Sequence, residues 1–209
     1  MRKTELILVG AGGHSRSCID AIEGEGKYVI GGLVGLSQEV GSNHFGYQVL
    51  ATDSELNTLA KQFQYALISI GQIQSPEIRI RLYQMSLAAG FVVPTIIAPT
   101  AYVSPNATLG SGTIVMHGAI INAGVAVGSN CIINTRALLE HDSQISDHCH
   151  ISTGAIVNGE ASIGVGSFIG SGSVIKEGIS IGAGSVVGMG LAVRHNLEDG
   201  SKYLGEFNS

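Results

Sequence analysis

The sequence predicts an α/β N-terminal domain followed by a parallel β-helix of hexapeptide repeats, and three observations carry that prediction. Every sixth residue from Ile97 to Val193 is aliphatic, seventeen positions without a slip. A small side chain follows most of them by four, as at Ala101, Thr113, Ala137, Cys149 and Ser167. Upstream, a short apolar run at residues 6–9 breaks into Gly10-Ala11-Gly12-Gly13-His14 and then takes on helical spacing.

The six-residue spacing decides the C-terminal part, residues 95–209. A helix of period 3.6 cannot stay in phase with it, whereas a triangular coil with three six-residue sides can. Each side points its aliphatic residue inward, and the small residue fits the corner. Eighteen residues make one coil, so the array holds a little over five coils stabilised by stacking on one another. The abundance of glycine, 30 of 209 residues, and the lack of tryptophan suit many short strands and turns.

Residues 1–94 read as a Rossmann-like βαβαβ domain. The strand at 6–9, the glycine turn and a helix through Ile19 and Ile22 form a unit whose exposed N–H groups attract anions. Strands at Tyr28–Val34 and 66–70 bracket a helical pattern at 55–62. A second helix at 76–89 leads to an apolar run at 91–93, and Pro94 and Pro99 mark the start of the first coil. A dinucleotide dehydrogenase fits poorly, because Ser15 replaces the third glycine of G-x-G-x-x-G. The second strand also offers Gly31, Gly32 and Gly35 where a ribose-binding acid would stand.

Composition excludes other classes. A formal charge of -5 with no basic cluster argues against nucleic acid. No apolar run approaches the ~20 residues of a membrane span, and the first strand is too short for a signal-peptide core, so a soluble cytoplasmic protein is expected. Cys18, Cys131 and Cys149 form no CxxC pattern, so they read as small buried side chains and no metal is expected.

Chemistry is expected in residues 134–155, where the repeat is intact but the outward positions turn polar and ionisable. His141 lies two positions after an inward aliphatic, with Ala123 one coil below and Gly159 one coil above leaving room around it. A neutral imidazole can take a proton from an attacking hydroxyl or amine, and Glu140 and Asp142 flank it. His117 falls on another side of the prism and reads as a surface residue.

The stretches Gly10-Ala11-Gly12-Gly13-His14, Ile133-Asn134-Thr135-Arg136-Ala137-Leu138-Leu139-Glu140-His141-Asp142 and His150-Ile151-Ser152-Thr153-Gly154-Ala155-Ile156-Val157-Asn158-Gly159 resemble the NeuD/PglD-type sugar acetyltransferases of the hexapeptide-repeat superfamily. The resemblance covers almost the whole chain and implies a left-handed β-helix, acetyl-CoA as co-substrate, and a homotrimer with coenzyme A in the groove between neighbouring helices. It implies His141 as general base with Asp142 beside it. His150 and the backbone amide of Gly159 would lie by the acetyl thioester, with Ser171 and Met189 forming, with Thr153, one wall of the coenzyme groove. Gly12, Gly13 and His14 would hold the sugar substrate. The Ile-Asn-Thr-Arg and Ile-Ser-Thr segments are closest to the sialic acid branch, so O-acetylation of a sugar such as sialic acid is expected, with N-acetylation of a UDP-4-amino sugar as the alternative. Two other classes share such a helix: a γ-carbonic-anhydrase-like lyase holding a metal with histidines from adjacent subunits, such as His117, His141 and His148, and a non-catalytic trimeric binding protein. The chain departs from its relatives in having Val34-Gly35 where an acid commonly ends the second strand. It also lacks their Gly-x-Pro-Ala-Lys tail, which suggests a truncated or vector-derived end.

Overall fold

The computed structural model describes residues 4–205; most of the C-terminal segment read above as a truncated or vector-derived end, 206–209, lies outside them. The N-terminal part contains β1 (Thr4–Val9), α1 (Gly13–Glu25), β2 (Tyr28–Val34), β3 (Asn43–His44), β4 (Tyr47–Ala51), α2 (Leu56–Leu59), β5 (Tyr65–Ile68) and α3 (Glu77–Ala88). They build one sheet of order β3-β4-β2-β1-β5, parallel except for β3. The β1–glycine turn–α1 unit stands as the sequence predicts, and α1 stops at Gly26, whose left-handed conformation (φ 70°) lets its N–H cap the carbonyl of Ile22.

Two elements differ from expectation. The β3–β4 hairpin has no counterpart in a simple βαβαβ reading; it turns on Phe45 (φ 52°) and Gly46 (φ 85°), and only Val49 and Ala51 of it are buried, too weak a pattern to mark a strand. The helix expected at 55–62 is a 3-10 turn at Asp53–Glu55 and the single turn of α2.

From Ile96 to Val193 the chain forms two-residue strands, each pairing in parallel with the strand eighteen residues away, and a last strand, Lys202–Tyr203, pairs with Val186–Val187; together they make a left-handed β-helix with three flat faces. The every-sixth aliphatic residues fill the lumen, and those from Val115 to Val193 are buried. Burying such a side chain contributes about 1.5–3 kcal/mol, so the stacked lumen dominates the stability of the array.

The outward residues give each face its own character. On one, Ile96, Ile114 and Ile132 are buried against α1 and β1, so the N-terminal domain sits on this covered face. On the next, Tyr102, Ile120, Leu138, Ile156, Val174 and Ala192 run from coil to coil as a bare apolar face, with Tyr102 55% and Ile120 41% exposed. The third is mostly polar, carrying Thr108, Gln144, Ser162 and Ser180.

Through the middle of the array each coil corner holds one residue in the left-handed region. From Gly112 to Gly190 that residue recurs every six positions, and it is glycine except at Asn130, Arg136, Asp142, His148 and Glu160.

Candidate active site

His141 stands on the edge between the bare apolar face and the polar face, 62% exposed. Its orientation comes from the corner. Asp142 takes the left-handed position (φ 60°), which turns its carboxylate back so that Oδ2 lies 3.0 Å from His141 Nδ1. A proton on Nδ1 donates to that oxygen and leaves Nε2 free to accept one. The other side of the ring rests on Gly159, one coil up: a Cβ there would lie 2.7 Å from both Cε1 and Nε2, so any side chain at 159 would displace the imidazole. Among the described residues the Gly159 N–H donates to no carbonyl.

The Asp142 hydrogen bond raises the pKa of His141 above its usual 6.5 against desolvation, and the charges of Asp142, Glu140 and Glu160 add to the rise. Around the ring lies a cavity of about 450 Å³ lined by Glu140, Asn158, Gly159, Glu160, Glu177 and Gly178, so its charged groups are carboxylates. Glu140 is held by Asn122, whose Nδ2 donates to it at 3.1 Å.

His150 lies elsewhere. It projects from the covered face and is 6% exposed, with Nδ1 donating to the carbonyl of Gln72 at 2.6 Å and Nε2 accepting from Asn134 Nδ2 at 3.1 Å. Phe168 packs edge-on against its ring. Burial pushes its pKa down to about 4, partly countered by the Gln72 bond and helped by the charge of Arg79. His14, at the start of α1, is pushed down to about 3 by burial, Arg79 and His150. Both rings are therefore neutral near neutral pH and sit in one seam between the two parts of the chain.

The same Arg79 closes that seam. It is 1% exposed with no carboxylate partner among the described residues, and instead donates from Nη1 to the carbonyls of Ile68 and Ile70, both at 2.8 Å, and from Nε to Asn130 O at 3.1 Å. A buried cation survives only with such compensation.

Thr153, Ser171 and Met189 stack on the edge between the covered and bare faces, where Ser171 Oγ lies 2.9 Å from Ser152 Oγ and Met189 is 76% exposed. The sequence-predicted residues thus form two groups. His141, Asp142 and Gly159 line one edge of the bare apolar face; Ser171 and Met189 lie at its other edge, with His150 and His14 in the adjoining seam. One chain does not bring the groups together.

The three histidines of the lyase reading occupy three different edges. His117 bonds Thr100 Oγ1 at 3.0 Å and lies 2.9 Å, off-axis for a hydrogen bond, from Asp20. His148 bonds Asn130 Nδ2 at 3.0 Å, and no cluster of three metal-ligating side chains forms among the described residues. Cys131 and Cys149 are buried in the corner with each thiol 3.1 Å from a carbonyl, which removes them as acyl carriers.

Sequence reasoning missed a second cavity of about 350 Å³ at the C-terminal ends of β1, β2 and β5. Its lining includes Gly10, Gly12, Gly35, Glu39, Thr52, Asp53 and Arg81. Glu39 accepts the Leu36 N–H at 2.7 Å, and Arg81 pairs with Asp53 at 3.0 Å. An acid therefore does reach this cavity, supplied by the loop after β2 instead of by the strand end. Gly12 forms part of this wall and is exposed, as is Gly13; neither has an atom within 4 Å of where a Cβ would stand.

Comparisons with known proteins agree with this architecture. The family described as the PglD N-terminal domain matches residues 5–86, and the hexapeptide repeat of succinyl-transferase matches residues 160–194. A histidine-to-asparagine variant of perosamine N-acetyltransferase from Caulobacter crescentus, in complex with CoA and GDP-perosamine, is 30% identical over 93% of this chain and 90% of its own, with a TM-score of 0.88. The acetyltransferase domain of PglB from Neisseria gonorrhoeae, in complex with acetyl coenzyme A, is 31% identical over 95% of this chain and 94% of its own, with a TM-score of 0.87. WeeI from Acinetobacter baumannii, at 21% identity, 94% and 95% coverage and a TM-score of 0.81, shares the fold. Curated protein sequences contain no match. With two relatives at 30% identity or more over nine-tenths of both chains, this chain belongs to the hexapeptide-repeat sugar acetyltransferases that carry a PglD-type N-terminal domain.

Proposed function

We propose that the chain N-acetylates a nucleotide-linked amino sugar with acetyl-CoA, at a site that two copies complete within a homotrimer. The observation that carries this reading is the ring of carboxylates, Glu140, Asp142, Glu160 and Glu177, around the His141 imidazole, whose Nδ1 is engaged by Asp142 and whose Nε2 has no hydrogen-bond partner among the described residues. Such a field attracts an ammonium group and repels the carboxylate of a sialic acid. The named relatives support it: one is an N-acetyltransferase holding CoA and GDP-perosamine, the other holds acetyl coenzyme A.

In this reading the nucleotide occupies the cavity beside Gly12 and Glu39, at the carboxyl ends of parallel strands where open α/β sheets take such ligands. The exposed N–H groups of Gly13 and His14 at the start of α1 face the anionic phosphates. His141 Nε2 removes the proton of the amine as nitrogen attacks the thioester carbonyl, and Asp142 stabilises the imidazolium that results. The free N–H of Gly159 offers a donor to the developing oxyanion. The thiolate leaves and takes up a proton, so no covalent enzyme intermediate arises.

The bare apolar face supports the trimer. Six apolar outward residues in register form a continuous patch of the kind that marks an interface, and candidate site residues flank it on both edges. Burying this face between copies brings the His141 edge of one toward the Met189 edge of the next.

The reading is tested by thiol release from acetyl-CoA with GDP- and UDP-linked 4-amino sugars, free sialic acids and CMP-activated sialic acids. Release with the amino sugars alone is expected. Release with sialic acids alone would transfer the site to O-acetylation, and neither binding nor consumption of acetyl-CoA would leave a binding protein.

A further inference from the structure

We infer that Lys176 and Arg194 hold the phosphates of coenzyme A and so fix the direction in which its arm runs from His141. The inference rests on the proposed acetyl transfer and adds two binding residues to it.

The residues that follow each strand of the bare apolar face form a column up the His141 edge: Ser104, Asn122, Glu140, Asn158, Lys176 and Arg194. Polarity changes sign along it. The edge is acidic from Glu140 up to Glu177; beside Glu177, two coils above Glu140, it also presents an exposed Lys176, and one coil higher an exposed Arg194, neither paired with a carboxylate among the described residues. In the other direction the column offers only Asn122 and Ser104. In a chain of net charge -5, two unpaired cations stacked in register above the candidate base make a local field suited to an anion.

The spacing matches the ligand. Successive coils are about 4.8 Å apart, which puts Arg194 roughly 14 Å above the His141 coil. A pantetheine arm spans roughly 13–16 Å from thioester sulfur to diphosphate, judged from standard bond lengths. With the acetyl group at His141, the upward direction delivers the phosphates to Lys176 and Arg194. The downward direction delivers them to neutral side chains. Arginine binds phosphate through its planar fork and lysine as a point charge.

The test compares acetyl-CoA with S-acetylpantetheine, which carries the same thioester and arm but no phosphate. Lys176→Ala and Arg194→Ala should each raise KM for acetyl-CoA by about tenfold while leaving kcat unchanged. KM for S-acetylpantetheine should be the same in wild type and variants, and Arg194→Lys should recover part of the loss. Lys61→Ala, on the distant N-terminal part, serves as a control with no effect on either thioester. Unchanged KM for acetyl-CoA in both alanine variants, or an equal rise with both thioesters, would overturn the assignment. A wild-type protein that consumes neither thioester would overturn acetyl transfer itself, and this assignment with it.

Discussion

In the coils from residue 162 to 193 the left-handed corner position is glycine at every turn, whereas between 130 and 160 it is glycine once, at Gly154, and otherwise Asn130, Arg136, Asp142, His148 and Glu160. Both stretches have the same lumen, with aliphatic residues buried at the same spacing. The upper coils follow the preference of the backbone. The lower ones hold side chains where an L-residue costs about 1–2 kcal/mol, and all of them except Arg136 serve a contact. Asp142 orients His141, Asn130 joins Arg79 and His148, and Glu160 lines the candidate active site. Departures from glycine at the corner therefore mark where the repeat has given up stability for chemistry or docking.

Breaking that contrast at its centre has the largest expected effect. His141→Ala should lower kcat/KM by about 100-fold or more, as loss of a general base does, with an unchanged thermal melt because the ring is outside the lumen; near-normal turnover removes the imidazole from the mechanism. Next comes the seat under the ring. Gly159→Ala puts a methyl group 2.7 Å from the imidazole, and the displaced base should cost about tenfold in kcat. An identical rate would mean that the ring position is immaterial. The smallest effect sharpens the comparison from the other side. Arg136→Gly restores the repeat's preferred corner residue, and it should raise stability by about 0.5–1 kcal/mol in denaturant unfolding with no change in kcat. A destabilised variant would show that Arg136 makes a contact worth more than the strain.

Most of the fold was legible because its signal is redundant. Seventeen in-phase aliphatic positions leave no competing period, and the glycine turn after the first strand marks the start of α1. The β3–β4 hairpin was not legible, since two buried residues in a five-residue strand carry almost no pattern. Of the site, His141 and Asp142 stood out by their chemistry and by resemblance, but their contact did not, because neighbouring residues on a strand point apart and only the left-handed corner brings them together. A signal for it was present: the glycine spaced every six residues disappears at 130, 136, 142, 148 and 160. Glu39, Asp53 and Arg81 left no such trace. They meet over the β-strand ends only through the packing of loops and α3, which no short-range spacing encodes.

The account turns on the Asp142–His141 pair acting as the base, and the pH dependence of kcat/KM tests that most directly. A base must be unprotonated, so activity falls as pH drops through the pKa of His141, which the Asp142 hydrogen bond raises above 6.5. The acid limb of the wild-type profile should therefore lie above 6.5 and move down toward it in Asp142→Asn, together with a lower maximal rate. A limb that stays in place when Asp142 is replaced, or a wild-type profile flat through this range, would contradict the assignment.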